Sequence, residues 1–251
     1  MTSHGARGQN AKGGESVGIP GSDGHSGFPD KDSLAVFCDF DGTFSVQDVG
    51  GQVAQIHLPE KRAQLTALYQ KGELDAWEYA LELFNGFEFS AESIEALLRT
   101  IDLDPGARDL LVWCERHEVP FQILSDGFDY NLERLQAIHG VRFSHASNRL
   151  ELEGDLWHLS PGGRNPACGC GTGLCKRSRI EAFRRGAPST LCVHVGNGRV
   201  SDLCGAEAAD VAFAKDTLSE ALHERGVFFH PFETLHDVIS QMEERFSALI
   251  S

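Results

Sequence analysis

Basic residues are scarce in this chain. Lys and Arg number 22 against 37 Asp and Glu in 251 residues, a formal charge of −15. Sequence-independent nucleic-acid affinity comes mainly from Lys and Arg neutralising phosphates, so this balance argues against a nucleic-acid partner. It argues equally against docking on anionic membranes. Long apolar runs are absent too, none approaching the roughly 20 residues that a membrane helix needs. The N-terminus has no apolar core of a secretory signal, and the expected location is cytoplasmic. Cysteines number 7, an odd count that argues against a disulfide framework. Residues 1–33 hold only six apolar residues but 8 of the 27 glycines. Such a segment cannot bury enough surface to offset its ordering entropy, and is read as a disordered leader.

What remains is ample for a sizeable core. Leu34-Ala35-Val36-Phe37-Cys38 reads as a buried strand running into Asp-Phe-Asp-Gly-Thr. From residue 50 to about 100, apolar positions such as Leu65, Leu68, Tyr69 and Trp77, Leu81, Phe84 recur at helical spacing without a strand between them. Pro105 opens a further helix, and Val119–Leu124 is the next strand, with Ser125-Asp126-Gly127 as the turn after it. A helix over 128–138, a strand near Val141–Phe143 and a hairpin through Arg149–Leu159 follow. A Gly- and Cys-rich loop at 162–173 leads to helix 176–183, strand 191–195, helix 201–209, strand 211–214 and a last helix pair. Alternating strands and helices imply α/β architecture, a Rossmann-like, doubly wound parallel sheet. The helical block at 46–103 interrupts that alternation. It reads as an inserted small cap, with 34–45 and 104–251 forming the core. No internal repeat is present.

Ligands of such sheets bind beyond the carboxyl ends of the strands. Three strands here end in polar, glycine-rich sequence: Asp39-Phe40-Asp41-Gly42-Thr43, Ser125-Asp126-Gly127 and Gly196-Asn197-Gly198. Lys176 opens the helix before the third. Together they form a site for a divalent metal and a phosphate. Asp39 has the chemistry to attack phosphorus and form an aspartyl phosphate. Asp41, with its pKa held high, can protonate the leaving alkoxide and then deprotonate water. Mg²⁺ takes hard oxygen ligands, which Asp39, the Asp41 carbonyl and the residue-197 side chain supply. Ser125, the turn N–H groups around Gly127, and Lys176 would hold phosphate oxygens.

From about Leu34 to Phe246 the chain resembles the haloacid dehalogenase superfamily phosphatases. Asp39–Thr43 is similar to their first motif, DxDGT, and Ser125 to the second-motif Ser/Thr. Lys176 matches the third-motif Lys and GNGRVSD at 196–202 the fourth motif, GDxxxxD. The subgroup with a helical cap between the first two motifs fits best. Within it, DGTFSVQDVGG, SDGFDYNLERL, CKRSRIEAF and ADVAFAKDTL look like the phosphoserine-phosphatase-like branch that includes the methionine-salvage 2-hydroxy-3-keto-5-methylthiopentenyl-1-phosphate phosphatases. The resemblance implies a Mg²⁺-dependent phosphomonoesterase acting on a small phosphorylated metabolite, with metal held by Asp39, Asp41, Asn197 and Asp202. It also places Asp48 near the cap mouth, where it could contact substrate; a helix N-cap is the alternative.

One position departs from the pattern. The first acid of motif four, a direct metal ligand in the family, is Asn197, which loses a formal charge at the metal. This opens a second reading, a catalytically weak module that binds a phosphorylated ligand. A third, a phosphotransferase, differs only in the acceptor. Separately, Cys168, Cys170 and Cys175 put three thiols within eight residues, with His158 nearby. Zinc would need a fourth ligand, and Cys-x-Cys is tighter than the usual pairing; a redox-sensitive or merely flexible loop is the other reading. Cys38, Cys114, Cys192 and Cys204 read as small buried hydrophobes, and His194 as a core or surface histidine. The oligomeric state is left open.

Overall fold

The computed structural model describes residues 31–88 and 90–250; the leader assigned to 1–33 lies outside them up to residue 30. Its last residues do not fit that assignment. Lys31 Nζ donates to the carbonyls of Pro188 and Thr190, each at 3.0 Å, and Ser33 already belongs to the first strand. A seven-stranded sheet carries the fold. Its strands are β1 (Ser33–Cys38), β2 (Phe121–Phe128), β3 (Ser144–Glu153), β4 (Leu156–Ser160), β5 (Thr190–Gly196), β6 (Val211–Ala214) and β7 (His230–Pro231), in the order β4-β3-β2-β1-β5-β6-β7. All neighbours pair in parallel except β3 and β4, which form an antiparallel hairpin.

Strand β1 shows why the sheet is covered on both sides. Leu34, Val36 and Cys38 enter the main core, whereas Ala35 and Phe37 enter a second cluster with Leu124, Ile180 and Cys192. Alternate residues of a strand face opposite sides, and a continuous apolar run therefore needs two apolar partners. Chain order runs outward from β1 in both directions, to β2 and to β5. The carboxyl end of β1 is the point where strand order reverses, the place where sheets of this kind take their ligands.

Four consecutive helices follow the turn after β1 in the chain: α1 (Val49–His57), α2 (Pro59–Gln70), α3 (Ala76–Phe84) and α4 (Ala91–Leu98). The chain leaves and returns side by side, with Ser45 bridged to Leu103 and the Val46 N–H donating to the Asp102 carbonyl at 2.8 Å. Capping fixes the helix starts. Asp48 accepts from Gly51 N–H, Asp75 and Glu78 form a reciprocal capping box, and Ser90 accepts from Ser93 N–H. The helical block rests on the β3–β4 hairpin through Phe84, whose ring lies 6.0 Å from that of Trp157 and 5.0 Å from that of Phe128.

The remaining helices are α5 (Ala107–Arg116), α6 (Asp129–His139), α7 (Lys176–Gly186), α8 (Leu203–Ala208), α9 (Asp216–Glu224) and α10 (Leu235–Phe246). Several sequence expectations need correction. Pro105 lies in a turn that the Asp104 carboxylate closes by accepting from Gly106 N–H at 2.9 Å, and α5 starts only at Ala107. Ser125-Asp126-Gly127 is not a turn but the irregular last stretch of β2, with a register shift between Leu124 and Phe128. Val141–Phe143 is loop. Gly140, at φ 62°, ends α6 in the left-handed region, and the strand begins at Ser144. Phe143 is apolar because its ring packs 5.2 Å from Phe44 and 6.1 Å from Phe40. The helix expected over 201–209 shortens to 203–208, and β7 is a two-residue edge strand that carries no apolar run.

That edge holds a buried histidine. His230 is packed 5.2 Å from Phe213 and 5.0 Å from Phe228, and burial, then Arg245, lowers its pKa from 6.5 to about 4. Between those two values the unfolded chain takes up a proton that the folded chain refuses. Stability is therefore present above pH 6.5 and is lost as pH falls toward 4. His230→Phe is expected to flatten this fall. Thermal unfolding followed across the window checks it, and an unchanged slope rules the assignment out.

Candidate active site

The site forms where β1, β2 and β5 end. The first residue beyond β1, Asp39, has its N–H bound to the Val195 carbonyl of β5 at 2.8 Å. The next five, Phe40–Phe44, coil into a tight turn whose Ser45 N–H returns to the Phe40 carbonyl at 2.9 Å. Phe40 and Phe44 are buried and anchor the turn, leaving Asp39, Asp41 and Gly42 on the rim. Gly42 has φ 77°, a conformation that disfavours side chains, and an added Cβ would overlap the Asn197 side-chain amide. Asn197 and the Asp39–Thr43 turn are thereby in contact. Gly42→Ala is expected to cost about 1–2 kcal/mol from the left-handed backbone alone, measured by urea denaturation. A neutral result would mean the turn relaxes freely.

Lys176 is fully buried, and its Nζ donates to Asp39 Oδ1 at 2.5 Å and to Asp202 Oδ1 at 2.6 Å. Its place as the first residue of α7 aims it inward, and Gly205 on α8 makes room for its stem: a Cβ there would lie 3.0 Å from Lys176 Cβ. His194 Nε2 also lies 3.1 Å from Asp202 Oδ1. Asp202 Oδ2 accepts from the N–H groups of Asn197 at 3.1 Å and Gly198 at 2.8 Å. A carboxylate offers about four lone-pair positions, and those of Asp202 are taken by the protein. Asp202, expected at the metal, stands behind Lys176 and the 196–198 turn and bonds both. Asn197 is clamped on its other side too, its carbonyl accepting from Leu218 N–H at 2.8 Å.

Asp41 lies across the rim. Its Oδ1 accepts from Val49 N–H at 2.8 Å and its Oδ2 from Ser125 Oγ at 3.3 Å; Ser125 Oγ in turn accepts from Gly127 N–H at 2.9 Å. Gly127 has no room for a side chain, since a Cβ would lie 2.9 Å from Asp41 Oδ2. Asp48 sits one turn away as the α1 N-cap, its Oδ1 accepting from Gly51 N–H at 2.8 Å. The helix-cap reading of Asp48 thus holds in this structure. Asp126, given no role from sequence, accepts from Leu174 N–H at 2.9 Å and Asn148 Nδ2 at 3.0 Å, tying the loop before α7 to β2 and β3.

Two buried carboxylates share one ammonium, and a third lies beside them. Burial, then Asp202, raises the Asp39 pKa to about 8, although Lys176 pulls it down. Burial, then Asp48, raises Asp41 to about 7 against the Val49 and Ser125 hydrogen bonds. Burial acts against both members of the inner pair, yet Lys176 is held charged by Asp202 and Asp39, and Asp202 is held ionised chiefly by Lys176. With its carboxylates ionised the cluster would carry an excess of negative charge in a buried space, and the raised pKa values of Asp39 and Asp41 express the cost of that charge without a further cation beside it. Its remaining donors are oxygens: Asp39 Oδ2, the Asp41 carbonyl and the Asn197 side-chain carbonyl. Hard oxygens with surplus negative charge fit a divalent cation such as Mg²⁺.

His194 and Asp104 were the functional supports that sequence reasoning missed. Neither stands out, because a histidine in an apolar strand and an acid before a proline look like ordinary core and loop residues. Asp104 Oδ1 accepts from Leu235 N–H at 2.9 Å as well as Gly106 N–H, joining α5 and α10 behind the turn.

Fold and site together define an α/β enzyme of the phosphatase class. Residues 36–207 match the family model for haloacid dehalogenase-like hydrolases, and the chain belongs to that family. A 2-hydroxy-3-keto-5-methylthiopentenyl-1-phosphate phosphatase of Bacillus mycoides (strain KBAB4) is 24% identical over 214 residues, spanning 84% of this chain and 96% of its own. A substrate-bound phosphoserine phosphatase has a similar fold, with TM-score 0.63 and 16% identity over 84% of this chain and 99% of its own. A probable phosphoserine phosphatase from Vibrio cholerae gives TM-score 0.66 at 19% identity, covering 88% and 68%.

Proposed function

We propose that this chain hydrolyses a small phosphorylated metabolite through a phosphoaspartate on Asp39, with Mg²⁺ held by Asp39, the Asp41 carbonyl and Asn197. The observation that carries the reading is the pairing of Asp39 with a buried Lys176 at 2.5 Å, on the rim that also holds Asp41 and Ser125. Bound Mg²⁺ would supply charge neutralisation to the transferring phosphoryl oxygens. The protein supplies the rest. Asp39 attacks phosphorus, with Lys176 holding its carboxylate in line and its charge available to a phosphoryl oxygen. Asp41, raised to about 7, carries a proton for the leaving alkoxide and can later take one from water. Ser125 Oγ and the Gly127 N–H lie beside Asp41, where they can bind phosphate oxygens.

Helices α1–α4 are proposed as a cap over this rim. Val49 N–H, at the start of α1, donates to Asp41 Oδ1 at 2.8 Å, which ties the first turn of the helical block to the acid–base residue. In this arrangement Asp39 is 3% exposed and Ser125 and Lys176 fully buried, which favours small substrates over phosphoproteins. The methionine-salvage enol phosphate is the leading substrate, because relatives covering 84% of the chain carry that name. A panel of metabolite phosphates with p-nitrophenyl phosphate as reference tests it. Preference for the enol phosphate by kcat/KM supports the assignment; a better phosphoserine substrate replaces it.

Asn197 favours one variation on this reading, weak metal retention. Asn197→Asp is expected to lower the Mg²⁺ concentration for half-maximal activity by on the order of tenfold, about 1.4 kcal/mol. Unchanged metal dependence would show that the amide serves as well as a carboxylate. Ligand binding without turnover in the wild type would instead favour a binding module.

A further inference from the structure

Cysteines scattered through the sequence converge at one point outside the proposed catalytic rim. The Sγ atoms of Cys168, Cys170, Cys175 and Cys204 all lie within 4.8 Å of one another. None is in a disulfide; Cys168 and Cys170 are partly exposed, and Cys175 and Cys204 are buried. Three come from the loop before α7 and its N-cap. The fourth, Cys204, comes from the first turn of α8, which sequence reading had assigned to the core. His158 is not part of the group and lies 3.8 Å from Glu153 instead.

The geometry points to a four-cysteine zinc site that clamps α7 to α8. Tetrahedral Zn²⁺ with Zn–S bonds of about 2.3 Å sets its sulfurs about 3.8 Å apart. The four sulfurs of this cluster reach that spacing by small inward movements. A thiolate cage also needs donors around it, because each sulfur brings negative charge. Every sulfur here has one. Ser178 Oγ donates to Cys175 Sγ at 3.3 Å, and the Thr172 backbone N–H bonds Cys170. The Arg177 guanidinium bonds Cys168 and the Arg177 backbone N–H bonds Cys204. Binding would displace four thiol protons to solvent and leave a tetrathiolate of net charge −2 beside Arg177. The all-sulfur set selects a soft or borderline metal, whereas the oxygen-lined rim selects a hard one, so the two sites need not compete.

The position gives the metal a purpose. Cys175 immediately precedes Lys176, and Cys204 follows Asp202 by two residues. The clamp therefore joins the two segments that carry the buried ion pair, whose spacing sets where Lys176 Nζ lies. Four ligands drawn from two helices and a loop hold that spacing more firmly than the short α8 could alone.

The test uses the full chain purified under reduction without chelators. Elemental analysis is expected to find about one zinc per chain, and Co²⁺ replacement is expected to give the intense visible bands of a tetrahedral thiolate complex. Asp39→Asn should keep both signals, separating this site from the phosphatase reading. Cys204→Ser should lose at least half of the zinc and weaken the thiolate bands. Should that variant fold poorly, titrating the native protein with a mercurial reagent gives the same information, releasing the zinc as four thiols react. Zinc well below half an equivalent, a disulfide among these cysteines in the reduced protein, or only the weak bands of oxygen-bound Co²⁺ would each overturn the assignment.

Discussion

Asp39→Asn is expected to lower kcat on p-nitrophenyl phosphate by at least about 10⁴-fold, the scale of losing a covalent nucleophile that acts as a unit with its partners. The amide cannot form the acyl phosphate. It can still accept from Lys176, and it removes one of two carboxylates that share a single ammonium. The fold is therefore retained, and the loss belongs to chemistry. Circular dichroism and urea unfolding of the same sample check that half of the statement. Turnover within tenfold of wild type would mean that water attacks phosphorus directly and Asp39 serves another purpose.

Lys176→Met is expected to destabilise the protein by about 3–5 kcal/mol, the cost of leaving buried charges without their partner. Asp39 and Asp202 both lose their cation, and Asp202 has no exposure at all. Methionine fills similar volume, so a packing defect contributes little. The double variant Lys176→Met with Asp202→Asn should be more stable than Lys176→Met alone, because one stranded charge is then gone. Urea midpoints at constant m-value report both quantities. A single variant within about 1 kcal/mol of wild type would mean that water or counterions reach the pair, at odds with its burial.

Much of the fold was legible because it depends on runs and periods. Val211–Ala214 is apolar at every position, buried between neighbours, and its strand has the bounds that run implies. The misreadings share a cause, which is tertiary demand overriding local pattern. Ser125, Asp126 and Gly127 look like a turn since strands seldom carry such residues. They continue β2 because Asp41, Asn148 and Leu174 satisfy their polar groups. Val141–Phe143 looks like a strand, yet Phe143 is apolar in order to back the Phe40–Phe44 turn.

For the site, four motif segments in order were enough to bring Asp39, Asp41, Ser125, Lys176 and Asn197 to one rim. Spacing could not tell a carboxylate that faces solvent from one hydrogen-bonded on both oxygens behind a lysine, as Asp202 is. Nor could it connect Cys204 to a loop 29 residues upstream of it. A lone cysteine in an apolar helix carries no local sign of its partners.

The central claim is that the phosphoryl group passes through Asp39. Rapid acid quench of the enzyme during turnover of p-nitrophenyl phosphate with Mg²⁺, followed by borohydride reduction and peptide mass spectrometry, tests it most directly. An acyl phosphate is reduced by borohydride, so the expected result is homoserine at position 39 and at no other acid. Unmodified Asp39 in an enzyme trapped while turning over, or reduction at another carboxylate, would contradict the account.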